Sequence, residues 1–141
     1  MNLKNRLPVK ITGIKKGKVN AHISLDWRSR PMSVIITSAS ADEMRLEGGD
    51  DIEVLFKASD VIIAKGLSGK LSARNILPGI ITEITRGFPL AMVKLDCKGD
   101  KVAAELTLSS LEDMGLEVGN EVDAIIKSSE LILAKKRFDT G

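Results

Sequence analysis

Aromatic residues are nearly missing from this 141-residue chain, which has one Trp, three Phe and no Tyr. A core built without them has to be aliphatic, and a nucleic acid would find few rings on which to stack its bases. Cysteine is limited to Cys97, so no intramolecular disulfide can form, and histidine is limited to His22. One of each cannot assemble a zinc site, and no Ser–His–Asp or Cys–His arrangement is recognisable. Glycine-rich nucleotide loops are also lacking. Asp50, Asp51 and Asp123 read as turn and surface residues rather than metal ligands. A net charge of +2, with both signs mixed along the chain, gives no broad basic field for nucleic acid. No apolar run approaches the ~18 residues of a membrane span, and no signal-peptide core is present. These absences predict a soluble, cytoplasmic protein that is not an enzyme and engages neither membrane nor nucleic acid.

What is present is a repeat. An offset of about seventy residues superposes Leu3–Gly66 on Ala73–Lys136 without a gap. Asn5/Asn75, Leu7/Leu77 and Pro8/Pro78 open the copies, and Ala21/Ala91, Leu25/Leu95 and Asp26/Asp96 hold the register. Thr37/Thr107, Ser40/Ser110, Gly49/Gly119, Lys57/Lys127 and Lys65/Lys135 carry it to the end. The predicted modules are residues 1–66 and 71–141, joined by a Gly/Ser-rich linker at 67–70.

Each module reads as β-structure. Leu7–Ile14 and Leu77–Ile84 are rich in β-branched residues. Ala21, Ile23, Leu25 and Trp27 alternate with polar residues, and Ala91, Val93, Leu95 and Cys97 repeat the pattern, which makes Cys97 a small core filler. A third strand follows at Met32–Thr37 and Val102–Leu108. One short helix comes next, with a Ser cap predicted at Ser109 and its counterpart at Ser40–Met44. Two closing strands, Ile52–Phe56 with Val61–Lys65 and Val122–Ile126 with Leu131–Lys135, finish each module. The pattern predicts an all-β chain of two tandem OB-fold-like, five-stranded barrels, each with one short helix. Leu55 and Ile125 put apolar side chains on the outward face, which suggests that the other module or another chain covers it and predicts an oligomer.

The polar residues that remain are donors at module edges. Ser72, Arg74 and Asn75 precede the first strand of the second module. Thr107, Ser109 and Ser110 lie where strand meets helix, and Lys127, Ser128 and Ser129 form the last turn. Taken one at a time these are caps and turn formers; together they are hydroxyl, amide and cationic donors with no carboxylate among them.

Ser72-Ala73-Arg74-Asn75, followed by Leu77-Pro78-Gly79 and by Lys127-Ser128-Ser129 before an aliphatic strand, resembles the molbindin (TOBE) family over nearly the whole chain. That resemblance implies cytoplasmic binding or storage of molybdate or tungstate at inter-module sites, in a trimer. It assigns the oxyanion to Ser72, Arg74, Asn75, Thr107, Ser110, Lys127 and Ser128, and in the first module to Lys4, Thr37, Ser40, Lys57 and Ala58. Asn2-Leu3-Lys4-Asn5 departs from the tetrad, and Lys4 cannot reproduce the planar fork of Arg74, so the first module's site is expected to be weaker. The family also implies an alternative, a sensing module working with a transporter or a transcription regulator. The chemistry agrees with an oxyanion: molybdate is a tetrahedral dianion that offers acceptors at every corner and no proton.

Overall fold

A computed structural model describes residues 4–72 and 75–135. The described residues form ten strands and two short helices. These are β1 (Lys4–Lys16), β2 (Asn20–Trp27), β3 (Arg30–Thr37), α1 (Ser38–Glu43), β4 (Asp51–Lys57), β5 (Ile62–Ala64), β6 (Asn75–Thr85), β7 (Leu90–Cys97), β8 (Asp100–Thr107), α2 (Leu108–Asp113), β9 (Glu121–Ile126) and β10 (Ile132–Ala134). Single 3-10 turns at Ala58–Asp60 and Ser128–Glu130 follow β4 and β9. The strands make two antiparallel sheets, ordered β10-β4-β1-β2-β3 and β5-β9-β6-β7-β8.

The closing strands are exchanged between the repeats. Ile62 and Ala64 pair with Ile125 and Asp123, while Ile132 and Ala134 pair with Leu55 and Glu53. The predicted hairpins of β4 with Val61–Lys65 and of β9 with Leu131–Lys135 therefore do not form. Each 3-10 turn carries the chain on instead of folding it back. Two compact units result: residues 6–55 with 128–135, here the β1 unit, and residues 4–5 with 56–127, here the β6 unit. Compact unit and sequence repeat are thus different partitions of the chain.

Within each unit the alternation read from sequence sets the inside. Ala21, Ile23, Leu25 and Trp27 on β2, and Ala91, Val93, Leu95 and Cys97 on β7, are all buried. The first strands are bent by register shifts between Ile11 and Gly13 and between Ile81 and Glu83, as a bulge would do. The following turns are tied to the same point. Gly49 N–H donates to Ile11 O and Ile11 N–H to Asp50 O, at 2.7 and 2.9 Å. Gly119 and Asn120 hold Ile81 in the same way. Gly49 and Gly119 sit at φ +93° and +95°, a conformation that costs an L side chain strain.

The helices begin two or more positions earlier than predicted. Thr107, not Ser109, caps α2, and Thr37 caps α1. The reason is reach: the hydroxyl of the last strand residue already lies against the N–H three residues on, so the helix starts directly from the strand.

Candidate functional site

At the end of β8, Thr107 Oγ1 accepts from Ser110 N–H at 3.0 Å and donates its own proton to Ser110 Oγ at 2.9 Å. The Ser110 hydroxyl proton is left to point elsewhere. Thr37 and Ser40 at the end of β3 repeat the arrangement at 3.0 and 2.8 Å. All four side chains are exposed or half-buried. In the β6 unit this corner borders a cleft of about 390 Å³ that also takes in Phe88, Pro89, Ser109, Glu112 and Asp113. Two carboxylates therefore stand beside the hydroxyls, which the sequence reading did not foresee. Glu112 is offset by Arg86 at 3.8 Å, and in the β1 unit Asp42 is offset by Lys16.

The lysine turns are a second location. In the β6 unit Lys57 ends β4 with its side chain in solvent. Ala58, next to it, is buried in the 3-10 turn that packs on β8. Ala58 has no side-chain donor, so only its backbone N–H is available to a ligand. On the same strand, Asn5 clamps Ala103 with both ends of its amide: Nδ2 donates to Ala103 O at 2.9 Å and Oδ1 accepts from Ala103 N at 2.7 Å. In the β1 unit Ser128 occupies the place of Ala58, and its hydroxyl lies 2.7 Å from that of Ser33 on β3.

A third group gathers where β6 starts. Asn75 pairs with Ile126, which brings the end of the tetrad beside the strand end that leads into Lys127. Asn75 is fully buried, and its Nδ2 donates to Ile126 O at 3.1 Å. That amide ties the tetrad to β9. Ser72 and Lys127 are exposed. Arg74 and the side chain of Lys4 lie outside the described residues.

Spacing along the strands separates these groups. Ser33 and Thr37 on β3 are four residues apart, as are Ala103 and Thr107 on β8, which in extended chain is about 13 Å. One tetrahedral oxyanion cannot touch both ends of that span. The helix-corner hydroxyls and the lysine turn of a unit are therefore two anion-facing surfaces, not one pocket. Sequence reasoning missed Ser33 and the clamp of Asn5. The signal for Ser33 was present: the repeats exchange Ser33 and Ser128 together for Ala103 and Ala58.

No helix among the described residues is long and apolar enough to cross a membrane, and no cluster of three metal-ligating side chains is found among them. Cys97 is buried, and desolvation followed by the nearby Asp96, Asp100 and Asp123 pushes its thiol up to about 12. It stays protonated at neutral pH and is no nucleophile.

Comparison with known proteins adds the following. The sequence profile of the TOBE domain matches residues 3–63 and 71–133. The chain is 35% identical over 136 residues to the molybdenum-pterin-binding protein MopA of Rhodobacter capsulatus, covering 93% of this chain and 51% of that one. It is 41% identical over 78 residues to the molybdenum import ATP-binding protein ModC of Brucella abortus (strain 2308), covering 55% of this chain and 22% of that one. It thus spans about half of MopA and less of ModC. The crystal structure of the cytoplasmic molybdate-binding protein ModG with molybdate bound superposes with a TM-score of 0.90 at 30% identity, covering 94% of this chain and 96% of that one.

Proposed function

The chain belongs to the TOBE-domain family, and we propose that it binds molybdate or tungstate reversibly, as a storage or buffering protein in the cytoplasm. The observation that carries this reading is the paired hydroxyl corner. Because Thr107 both accepts from Ser110 N–H and donates to Ser110 Oγ, the proton of Ser110 faces outward as a donor. Thr37 and Ser40 do the same. Two surfaces that present donors suit an anion that has acceptors and no proton. Hydrogen phosphate would bring a hydroxyl that finds no acceptor among the donor residues themselves, at a cost of about 1–3 kcal/mol wherever Glu112 or Asp113 of the neighbouring cleft does not take it. Sulfate matches in shape and charge and has to be sorted by cavity size. MopA and ModG, both named for molybdenum or molybdate, support the same reading.

Ser72, Arg74, Asn75, Thr107, Ser110, Lys127 and Ser128 are the proposed oxyanion residues of the second repeat; Lys4, Thr37, Ser40, Lys57 and Ala58 are those of the first. In this reading Asn75 and Ala58 act through the backbone they fix, and the others through side chains. Each unit's donor surfaces are about 13 Å apart, too far for a single anion, so a second copy of the chain completes them; a trimer is the proposed assembly. The similarity to ModC favours a second reading, a module that acts with a molybdenum transporter.

Titration calorimetry of the full chain with molybdate, tungstate, sulfate and phosphate tests the proposal. Molybdate and tungstate are expected to bind at least tenfold more tightly than phosphate, and an Arg74→Ala/Lys127→Ala variant is expected to lose that binding while keeping its β-rich circular dichroism. Equal weak heats for all four anions would sink it.

A further inference from the structure

The outward faces of the two units differ in one systematic way. In the β1 unit the carboxylates of β4 are held by cations on β1: Arg6 lies 3.4 Å from Glu53 and Lys10 lies 3.7 Å from Asp51. The repeat carries Glu53 and Asp51 over as Asp123 and Glu121 on β9. It replaces both cations, Arg6 by Ile76 and Lys10 by Ile80. Ile80 pairs directly with Glu121, and Pro78 with Asp123. Among the described residues neither Glu121 nor Asp123 has an ion pair. Ile80 leaves 48% of its surface exposed on a strand whose inward face is well packed.

The change leaves a groove of about 510 Å³ on the β6 unit, walled by Leu67, Ile80 and Val122 and edged by Asp96, Glu121 and Asp123. Gly79 forms part of its floor, and Lys98 is the one cation in a lining that holds three carboxylates. Asp96 is partly occupied, since its Oδ1 accepts from Gly99 N–H at 2.9 Å. What remains is an aliphatic surface with two carboxylates that lack the cations their counterparts have.

We propose that this face docks an extended segment of another protein in which lysine or arginine alternates with isoleucine or leucine. The β1 unit shows the required chemistry within one chain. Arg6 and Lys10 stand four residues apart on an extended strand and reach two carboxylates two residues apart on β4. A partner segment presenting cations at that spacing supplies in trans what Ile76 and Ile80 removed, and its aliphatic residues cover Ile80 and Leu67. The groove is distinct from the helix corners and lysine turns, so docking and oxyanion binding are separable.

The test uses the full chain labelled with ¹⁵N and two acetylated, amidated peptides, one alternating lysine with isoleucine and one alternating glutamate with isoleucine. The basic peptide is expected to give saturable shifts at Gly79, Glu121 and Asp123, weakened several-fold by raising the salt from about 0.05 to 0.5 M, and the acidic peptide none. Ile80→Lys, which restores the residue of the β1 unit, is expected to abolish the shifts. Glu121→Gln/Asp123→Asn, which keeps the shape and removes the charge, is expected to weaken them at least tenfold. No saturable shift at millimolar peptide, equal response to both peptides, or binding that survives Ile80→Lys would each overturn the proposal. So would a sedimentation profile in which Ile80→Lys dissociates an oligomer, because the face would then be covered by a second copy.

Discussion

The β1 unit has Val9, Trp27, Met32, Val34 and Val54 where the β6 unit has Gly79, Cys97, Val102, Ala104 and Ala124, and every one of these that carries a side chain is buried. Leu111, in place of Ala41, runs the other way, and the buried Phe56 at the end of β4 also belongs to the β6 unit. At these five strand positions the second barrel therefore carries less side-chain volume on the same register. It closes the difference by bringing backbone inward. A Cβ built on Gly79 would stand 2.7 Å from Cys97 Sγ and 3.1 Å from Asp96 O. The same fold is thus reached by filling with side chains in one unit and by close approach of strands in the other. Polar positions change in the same manner: Ser33 with Ser128 against Ala103 with Ala58, and Asp50 against Asn120.

This contrast is broken most severely by emptying the larger core. Trp27 is completely buried, and Trp27→Ala is expected to cost about 3–5 kcal/mol. Urea unfolding followed by circular dichroism measures it, since the only Trp is the one removed. A loss under about 1 kcal/mol would mean that the β1 barrel collapses around the gap and that the two cores are less different than their volumes indicate.

Overfilling the smaller core comes next. Gly79→Ala is expected to cost about 1–3 kcal/mol, because the added methyl meets both a sulfur and a backbone oxygen. Cys97→Ala in the same chain removes the sulfur and should recover part of that loss. The double variant is then less unstable than the sum of the two single changes. Strict additivity would show that Gly79 is needed for another reason. Val9→Ala in the β1 unit serves as the control, with the cost of a lost methyl pair and no clash.

How far this was legible in the sequence depends on the residue. Trp27 and Cys97 were placed inward by the alternation of their strands, because a half-buried strand leaves a period of two that nothing else imitates. Thr107 was passed over as the helix cap in favour of Ser109, because Thr-Leu-Ser-Ser offers three hydroxyls and only geometry selects among them. The exchange of β5 and β10 could not be read at all. Ile62-Ile63-Ala64 and Ile132-Leu133-Ala134 are almost the same peptide, so either strand satisfies either sheet, and sequence carries no preference. The donor residues of the proposed site were found as types, but their separation into helix corners and lysine turns came only with the strands between them. The carboxylates beside Thr107 escaped notice because a cap at Ser109 makes Glu112 and Asp113 first-turn acids that complement the helix dipole, whereas with Thr107 as the cap no acid lies in the first turn.

A smaller effect is expected at the paired serines. Ser128→Ala takes away the hydroxyl that lies 2.7 Å from Ser33 Oγ and is expected to cost about 1 kcal/mol. Ser33→Ala/Ser128→Ala reproduces the Ala103 and Ala58 of the β6 unit and should be closer to wild type than either single change. A double variant worse than both singles would show that the hydroxyl pair serves packing or ligand, not mutual satisfaction.

The smallest difference is electrostatic. Asp50 and Asn120 cap equivalent turns, accepting from Glu47 N–H and Glu117 N–H at 2.9 Å each. Only Asp50 titrates, and only it has Lys135 at 3.3 Å, whereas Lys65 in the β6 unit reaches the carbonyls of Met114 and Gly115. The Glu47 N–H, with Lys135 beside it, holds the Asp50 carboxyl below its ordinary value against an opposing effect of desolvation. A group depressed in the folded state stabilises it above the unfolded carboxylate's pKa, and loses that contribution as pH falls through the folded value. Acid should therefore loosen the turn of the β1 unit before that of the β6 unit, by under about 1 kcal/mol because the pair is partly in solvent. Hydrogen exchange at Glu47 and Glu117 between neutral and acid pH reads the two turns side by side. Asp50→Asn should make them respond alike, at the cost of the Lys135 contact at all pH values. If Glu47 and Glu117 already respond alike in the wild type, the charge on Asp50 contributes nothing that the neutral amide of Asn120 does not.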